Sequence, residues 1–241
     1  MGLLDGKVAI VTGGGRGLGR AHCLALAAHG AAVVVNDPGA GLHGENTRET
    51  PAETVAAEIT AAGGRAVPDH SSVTDWQATE KLVGLAVAEF GRLDVVVNNA
   101  GILRDKMLHS MTEDDFDAVI AVHLKGTFAM TRHACAHWRA EAKRRAAPRA
   151  GEVGGGRIIN TTSGTGLFGT VGQANYGAAK AGIVSLTTIT AMEMARYGVT
   201  AGEYRSRSGG AVEPEELIAG LPQLYGTAPV GRLPDPAVHG A

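Results

Sequence analysis

Two residues four apart, Tyr176 and Lys180, lie in a stretch with helical spacing and therefore project from one helix face. An ammonium beside a phenol favours the phenolate and lowers its pKa, so Tyr176 is expected to act as a general acid or base near neutral pH. Ser163 ends an apolar run, and its hydroxyl suits polarisation of a substrate carbonyl. The Gly-rich segment 164–175 then leads to Tyr176 and can bring the two side chains together. A Tyr-x-x-x-Lys pair alone is an ordinary helix surface, and its weight here comes from a second constellation near the N-terminus. There Thr12-Gly13-Gly14-Gly15-Arg16-Gly17-Leu18-Gly19 sits between a strand and a helix, so the free N–H groups of the helix start face the turn, a geometry suited to a pyrophosphate. Gly13, Gly17, Leu18 and Gly19 are its candidate contacts.

Asp37 lies 18 residues beyond Gly19, at the end of the second strand, where a carboxylate accepts hydrogen bonds from an adenosine ribose. Its charge repels a 2′-phosphate and so favours NAD over NADP. Arg16 pulls the other way, since its guanidinium could pair with that phosphate. An unpaired carboxylate beside a phosphate is costly, so Asp37 is expected to prevail and Arg16, though part of the cofactor turn, to keep a surface role. Ser72 and Val73 follow the third strand and either flank the adenine or, for Ser72, merely start the next turn.

These residues need a scaffold that gathers them. Val8 to Thr12, 31–36, 65–70, 93–101 and 156–163 read as strands, and they alternate with helices, including one capped by Thr74 and ended by Gly91. Thr112 and Asp115 form a capping-box pattern for a helix that continues to Trp138, and Ala174 to Tyr197 is a further long helix. Apolar strands alternating with helices predict an α/β fold, a doubly wound parallel sheet with right-handed crossovers, whose ligands bind beyond the carboxyl ends of the strands. The Gly turn, Asp37, Asn98 to Gly101 and Ser163 all fall at that edge.

Composition narrows the remaining classes. The chain has 241 residues, a formal net charge of −2, 44% hydrophobic and 19% charged residues, which fits one domain over 1–241 with a substantial core. A near-neutral balance argues against a nucleic-acid partner, and no apolar run reaches the roughly eighteen residues of a membrane span. Cys23 and Cys135 are too few for a disulfide framework and are expected as small core residues in a reducing cytoplasm. His133 and His137, four apart, lack a third ligand and are expected on a helix surface, with no metal site. The basic stretch from Arg139 to Arg149 is expected as a solvated loop.

The motifs TGGGRGLG, NNAG at 98–101, Ser163 and YGAAK at 176–180 occur together in an order and spacing that resembles the short-chain dehydrogenase/reductase family. That resemblance implies NAD(P)-dependent hydride transfer between nicotinamide and a secondary alcohol or ketone. Tyr176 would be the acid/base, Ser163 its hydrogen-bonding partner, and Lys180 the group that holds the nicotinamide ribose and lowers the Tyr176 pKa. Asn99, Ala100 and Gly101 would line the cofactor, and the assembly would be a homodimer or homotetramer. His123 stands where most members have an asparagine. By spacing alone it is a packed helix histidine. Together with NDPG at 36–39 and NNAGILRD at 98–105, it resembles the (3R)-hydroxyacyl-CoA dehydrogenase unit of peroxisomal multifunctional enzyme type 2 and its single-domain bacterial relatives. This implies a supporting catalytic role for His123 and a 3-hydroxyacyl-CoA/3-oxoacyl-CoA substrate pair. Alternatives are a hydroxysteroid or other alicyclic alcohol dehydrogenase, and a truncated, non-catalytic NAD-binding protein.

The C-terminal part, 199–241, diverges from the family. AGEYRSRSGG at 201–210 has no apolar run and is expected not to form a buried strand, which would leave strand five an exposed edge. The sixth and seventh strands are expected to be altered or missing. EPEELIAGL at 213–221 can form a short helix, and TAPVGRLPDP at 227–236 resembles a later family segment. Read one nucleotide later, codons for 202–209 can encode a more family-like strand and turn, so a local frameshift would account for the departure.

Overall fold

The computed structural model describes residues 2–45, 49–144 and 155–206. Its strands are β1 (Val8–Thr12), β2 (Ala32–Asn36), β3 (Arg65–Asp69), β4 (Val95–Asn98), β5 (Arg157–Ser163) and β6 (Thr200–Ser206). The helices are α1 (Gly17–Ala28), α2 (Pro51–Ala61), α3 (Trp76–Phe90), α4 (Glu113–Ile120), α5 (Gly126–Arg144), α6 (Thr165–Phe168) and α7 (Ala174–Met194). All strands pair in parallel in the order β3-β2-β1-β4-β5-β6.

The continuous apolar runs are explained by a sheet covered on both faces. Ala9, Val11, Val33, Val35, Val95 and Val97 pack with Cys23, Leu26, Val55 and Ile59 of α1 and α2. Their alternates, Val8, Ile10, Val34 and Val96, pack with Leu82, Met130, Trp138 and Met194 of α3, α5 and α7. The doubly wound expectation is met, and the strand ends deliver the site residues to one edge.

Several expectations change. The stretch after Gly198 does form a strand: β6 runs in register with β5 from Arg157↔Thr200 to Ser163↔Ser206. Pairing needs only the backbone ladder, and the side chains supply just enough apolar cover, with Val199 buried, Ala201 packed on one cluster and Tyr204 on the other. β5 is therefore an interior strand. The helix at 213–221, the segment at 227–236 and a seventh strand lie outside the described residues, as does the basic stretch from Arg145 to Arg149. Arg139 and Arg144 belong to α5, where they contact Tyr197 and Glu141. Asp75, not Thr74, caps α3, accepting from the N–H groups of Gln77 and Ala78. His133 is buried under Trp76, 4.6 Å between ring centroids, because α5 packs on α3 there. Cys23 is buried and Cys135 partly so, both as free thiols.

The capping box is formed as expected, with Thr112 and Asp115 bonding each other's backbone N–H. The helix it opens is not uniform. A π turn over Ala121–Lys125 separates α4 from α5 and carries His123 inward. Such single π turns recur at functional sites.

Candidate active site at the carboxyl edge of the sheet

The Gly turn is pinned from three sides. Gly14 N–H donates to the Asn36 carbonyl (2.9 Å) and Gly15 N–H to the Asp37 carboxylate (3.0 Å), whose other oxygen accepts from Gly39 N–H (2.9 Å). Asp37 thus ties the turn to the end of β2. On the other flank, Thr12 Oγ1 accepts from the N–H groups of Asn99 (3.0 Å) and Ala100 (3.1 Å). Asn99 Nδ2 returns hydrogen bonds to the carbonyls of Thr12 and Gly13, both at 3.1 Å. A Cβ on Gly19 would overlap the Gly13 carbonyl, so the chain can double back only with glycine there. α1 begins at Gly17 and has neither a side-chain cap nor an acidic residue in its first turn. The N–H groups of this helix start are thus left for an anion, which fits the pyrophosphate of a dinucleotide.

Arg16 is engaged by the segment after β2, donating to the Ala40 carbonyl (2.8 Å) and to Glu49 (2.5 Å). Ser72 starts the turn into α3, its carbonyl accepting from Asp75 N–H, and Val73 is buried against Gly126 of α5.

At the other end of the cleft, Ser163, Tyr176 and Lys180 come together as the spacing implies. Ser163 closes β5, its Oγ accepting from Thr165 N–H (3.3 Å), and its hydroxyl stands near enough to the Tyr176 phenol to act on its ionisation. One turn along α7, Lys180 is buried, donates to the Thr161 carbonyl (2.6 Å), and places its ammonium 5.4 Å from the centre of the Tyr176 ring. The expected lowering of the Tyr176 pKa is not what this arrangement produces. Burial and the Asp105 carboxylate raise it above the usual phenol value, and the Ser163 hydrogen bond only partly offsets them. Lys180 is itself brought down to about 8 by burial and points at a backbone carbonyl.

His123 meets Tyr176 edge-on, with 5.2 Å between ring centroids. Its Nε2 lies 2.8 Å from the Ile102 carbonyl oxygen and 3.1 Å from the Ile102 nitrogen, donating to one or accepting from the other according to tautomer. Burial and the nearby Lys180 ammonium hold its pKa at about 3, so it is neutral at any working pH. Nδ1 is buried without a partner among the described residues. A Cβ on Gly101 would stand 2.5 Å from the imidazole, which is the structural reason for glycine at that position.

Two residues that the motifs include take structural roles the sequence did not assign to them. Thr12 is the keystone between β1 and the β4 loop, and only its place before the glycines signals it. Asn98, in the NNAG motif, donates to Asn160 (2.8 Å), which donates to Thr187 (2.8 Å), a buried chain linking β4, β5 and α7 whose last two members no motif reveals. Beside the Tyr176 cluster, His43, Leu103, Arg104, Asp105, Lys106 and Asp115 line a cavity of about 470 Å³. Asp115 there is held well below the usual carboxylate range by Lys106 (2.7 Å) and Thr112. Lys106 N–H donates to the Gly172 carbonyl, joining the loops after β4 and β5, and these loops leave Leu108, Phe168 and Val171 exposed.

Residues 7–203 match the short chain dehydrogenase family. The chain is 44% identical over 226 residues to the hydroxyacyl-CoA dehydrogenase ChsB1 of Mycobacterium tuberculosis, covering 94% of this chain and 66% of that protein. It is 41% identical over 225 residues to the peroxisomal multifunctional enzyme type 2 of Mus musculus, covering 92% of this chain and 29% of that protein. Thus the chain spans less than two thirds of the length of either relative. The crystal structure of a short chain dehydrogenase from Mycobacterium avium superposes with a TM-score of 0.78 at 55% identity, covering 88% of this chain and 71% of that one. With the Gly turn, the 98–101 loop and the Ser163, Tyr176 and Lys180 cluster assembled on one sheet edge, the chain belongs to the short-chain dehydrogenase family.

Proposed function

We propose that the protein is an NAD-dependent dehydrogenase that interconverts 3-hydroxyacyl-CoA and 3-oxoacyl-CoA thioesters. The observation that carries the reading is the gathering of Ser163, Tyr176 and Lys180 at the end of β5, with the Ser163 hydroxyl acting on the ionisation of the Tyr176 phenol and Lys180 one turn away, on the same edge as an uncapped helix start. A bound nicotinamide would supply or accept the hydride. Gly13, Gly17, Leu18 and Gly19 would hold its pyrophosphate, Asp37 the adenosine ribose, Ser72 and Val73 the adenine side, and Asn99, Ala100, Gly101, Tyr176 and Lys180 the remainder. Asp37 favours NAD over NADP by repelling a 2′-phosphate. The counter-argument from Arg16 weakens because its guanidinium is engaged by Glu49 and Ala40.

The raised pKa keeps Tyr176 a protonated phenol near neutral pH. In the reducing direction it donates that proton to the carbonyl oxygen as hydride arrives at carbon, while Ser163 steadies the same oxygen. In the oxidising direction the phenolate must form first and then takes the alcohol proton. His123, neutral throughout, holds the Ile102 backbone and the face of the Tyr176 ring rather than exchanging protons itself.

Acyl-CoA as substrate is supported by the name of the Mycobacterium tuberculosis relative, a hydroxyacyl-CoA dehydrogenase, and by the apolar rim of Leu108, Phe168 and Val171. The exposed Phe116, Phe128, Ile189 and Met192 on α4, α5 and α7 suit a homodimer or homotetramer contact. Free thiols suit a reducing compartment such as the cytoplasm, and no helix among the described residues is long and apolar enough to cross a membrane. The test is an initial-rate panel with acetoacetyl-CoA and a hydroxysteroid or its ketone, each with NADH/NAD and NADPH/NADP. The proposal predicts fastest turnover with acetoacetyl-CoA and NADH. A steroid preference overturns the substrate, and NADPH preference the role of Asp37.

A further inference from the structure

We propose that residues 40–45 form a strap across the dinucleotide cleft whose hydrogen bonds to the loop after β4 set the rate at which cofactor leaves. The inference rests on the dinucleotide reading above and goes beyond it, because it assigns work to a segment outside every motif.

Hydrogen bonds show the crossing. The chain leaves β2 at Asp37, and β2 and β4 are separated by β1. Yet the next fixed points are on the far side of β1. Leu103 N–H donates to the Leu42 carbonyl (2.9 Å), His43 Nδ1 lies 2.9 Å from the Leu103 carbonyl oxygen, and Arg104 Nε donates to the His43 carbonyl (3.2 Å). Gly44 sits close to Ile102. Two strand spacings are about 10 Å, whereas the six steps from Asp37 to His43 can reach roughly 20 Å. The spare length lets the segment arch over the Gly turn, and Arg16 of that turn reaches up to the Ala40 carbonyl and Glu49. The segment thus runs from the Arg16 side of the cleft, where the uncapped start of α1 lies, to the loop that follows 99–101, the two walls between which a dinucleotide would sit.

The strap is built to open. Its ties to the loop after β4 are hydrogen bonds of residues at the surface, Leu42 keeps its side chain largely in solvent, and Gly39 and Gly44 adopt positive φ (+77° and +83°), leaving pivots at either end. A buried apolar anchor would have fixed it in place. His43 also lines the cavity with Asp105 and Asp115.

The experiment is stopped-flow displacement of NADH, followed by its fluorescence, from the full chain and from the double variant His43→Ala/Arg104→Ala. Loss of two hydrogen bonds at the clamp predicts NADH dissociation about tenfold faster. Glu49→Gln, a conservative change at the other anchor, is expected to speed release about twofold and decides the matter should the double variant fail to fold. Arg20→Ala, which removes an exposed pair with Glu58 away from the strap, is expected to leave the rate unchanged. If wild type binds NADH but release is the same in both strap variants, the strap is overturned and the dinucleotide reading survives. A lower melting temperature with unchanged release assigns these bonds to stability alone and equally overturns the strap. If wild type does not bind NADH, the dinucleotide reading fails and the strap falls with it.

Discussion

Replacing Thr12 by valine keeps the shape of the side chain and removes one oxygen. That oxygen is 2% exposed at the residue level, accepts the N–H groups of Asn99 and Ala100 at 3.0 and 3.1 Å, and donates to the Val97 carbonyl at 3.4 Å. Each backbone N–H left partly buried without an acceptor costs about 1–3 kcal/mol, and the third, long bond adds little. Water can reach the half-buried Asn99 and Ala100 in part, which places the expected loss at about 2–4 kcal/mol. At roughly 2–4 °C per kcal/mol for a domain of this size, the melting temperature should fall by roughly 5–15 °C. The loop at 99–101 should also lose its fixed distance from the Gly turn, so NADH affinity should drop with stability. Chemical denaturation and an NADH titration on wild type, Thr12→Val and Thr12→Ser read both effects, with serine restoring most of each. A valine variant within about 0.5 kcal/mol of wild type, or a serine variant no better than valine, refutes the reasoning, because the hydroxyl would then not be what joins the two loops.

Further outcomes are expected from the ionisation of buried groups. Since the Tyr176 pKa is raised, the rate of alcohol oxidation should climb with pH through the alkaline range, whereas ketone reduction should stay flat until the phenol itself deprotonates; a bell centred near neutrality for oxidation would contradict this. His22 is buried and held at about 4, so as pH falls below about 6.5 the unfolded chain takes up a proton that the folded one refuses, and stability drops until about 4. His22→Phe should make that acid limb shallower in urea melts read against pH, the buried His123 supplying part of what remains. Lys180, held at about 8, has the opposite window: the buried ammonium opposes folding up to about 8, and stability should rise between about 8 and 10.5, a rise that Lys180→Met should remove. Gly101→Ala should displace His123 and lower turnover without removing NADH binding, which a KM and kcat comparison checks.

The legible parts of this chain were those whose physics is local. Buried parallel strands need uninterrupted apolar runs, so Val8 to Thr12 and Val95 to Asn98 could be read directly, and the site residues followed from where those runs end. The capping box at Thr112 was visible for the same reason, as was the pairing of Tyr176 with Lys180. What escaped depends on distant partners. β6 looked too polar for a strand, yet its ladder is supplied by β5 and its few apolar side chains meet clusters built elsewhere. The direction of the Tyr176 shift depends on burial and on Asp105, 71 positions earlier, rather than on the lysine one turn away. His133 looked like a surface residue until α3 was laid against α5. The π turn that aims His123 at Tyr176 left no periodicity signal, and the reach of Leu42 and His43 to the far side of β1 left none either.

The assignment of the site rests most directly on one paired measurement, NADH oxidation by wild type and by Tyr176→Phe in the presence of acetoacetyl-CoA, with NADH affinity determined for both. Wild type should turn over and the variant should lose at least about a hundredfold in rate, the loss of a positioned acid, while NADH binding stays largely intact because only one of the residues that would hold it loses a hydroxyl. Equal rates in the two proteins, or NADH bound by wild type with no turnover on any ketone, would contradict it.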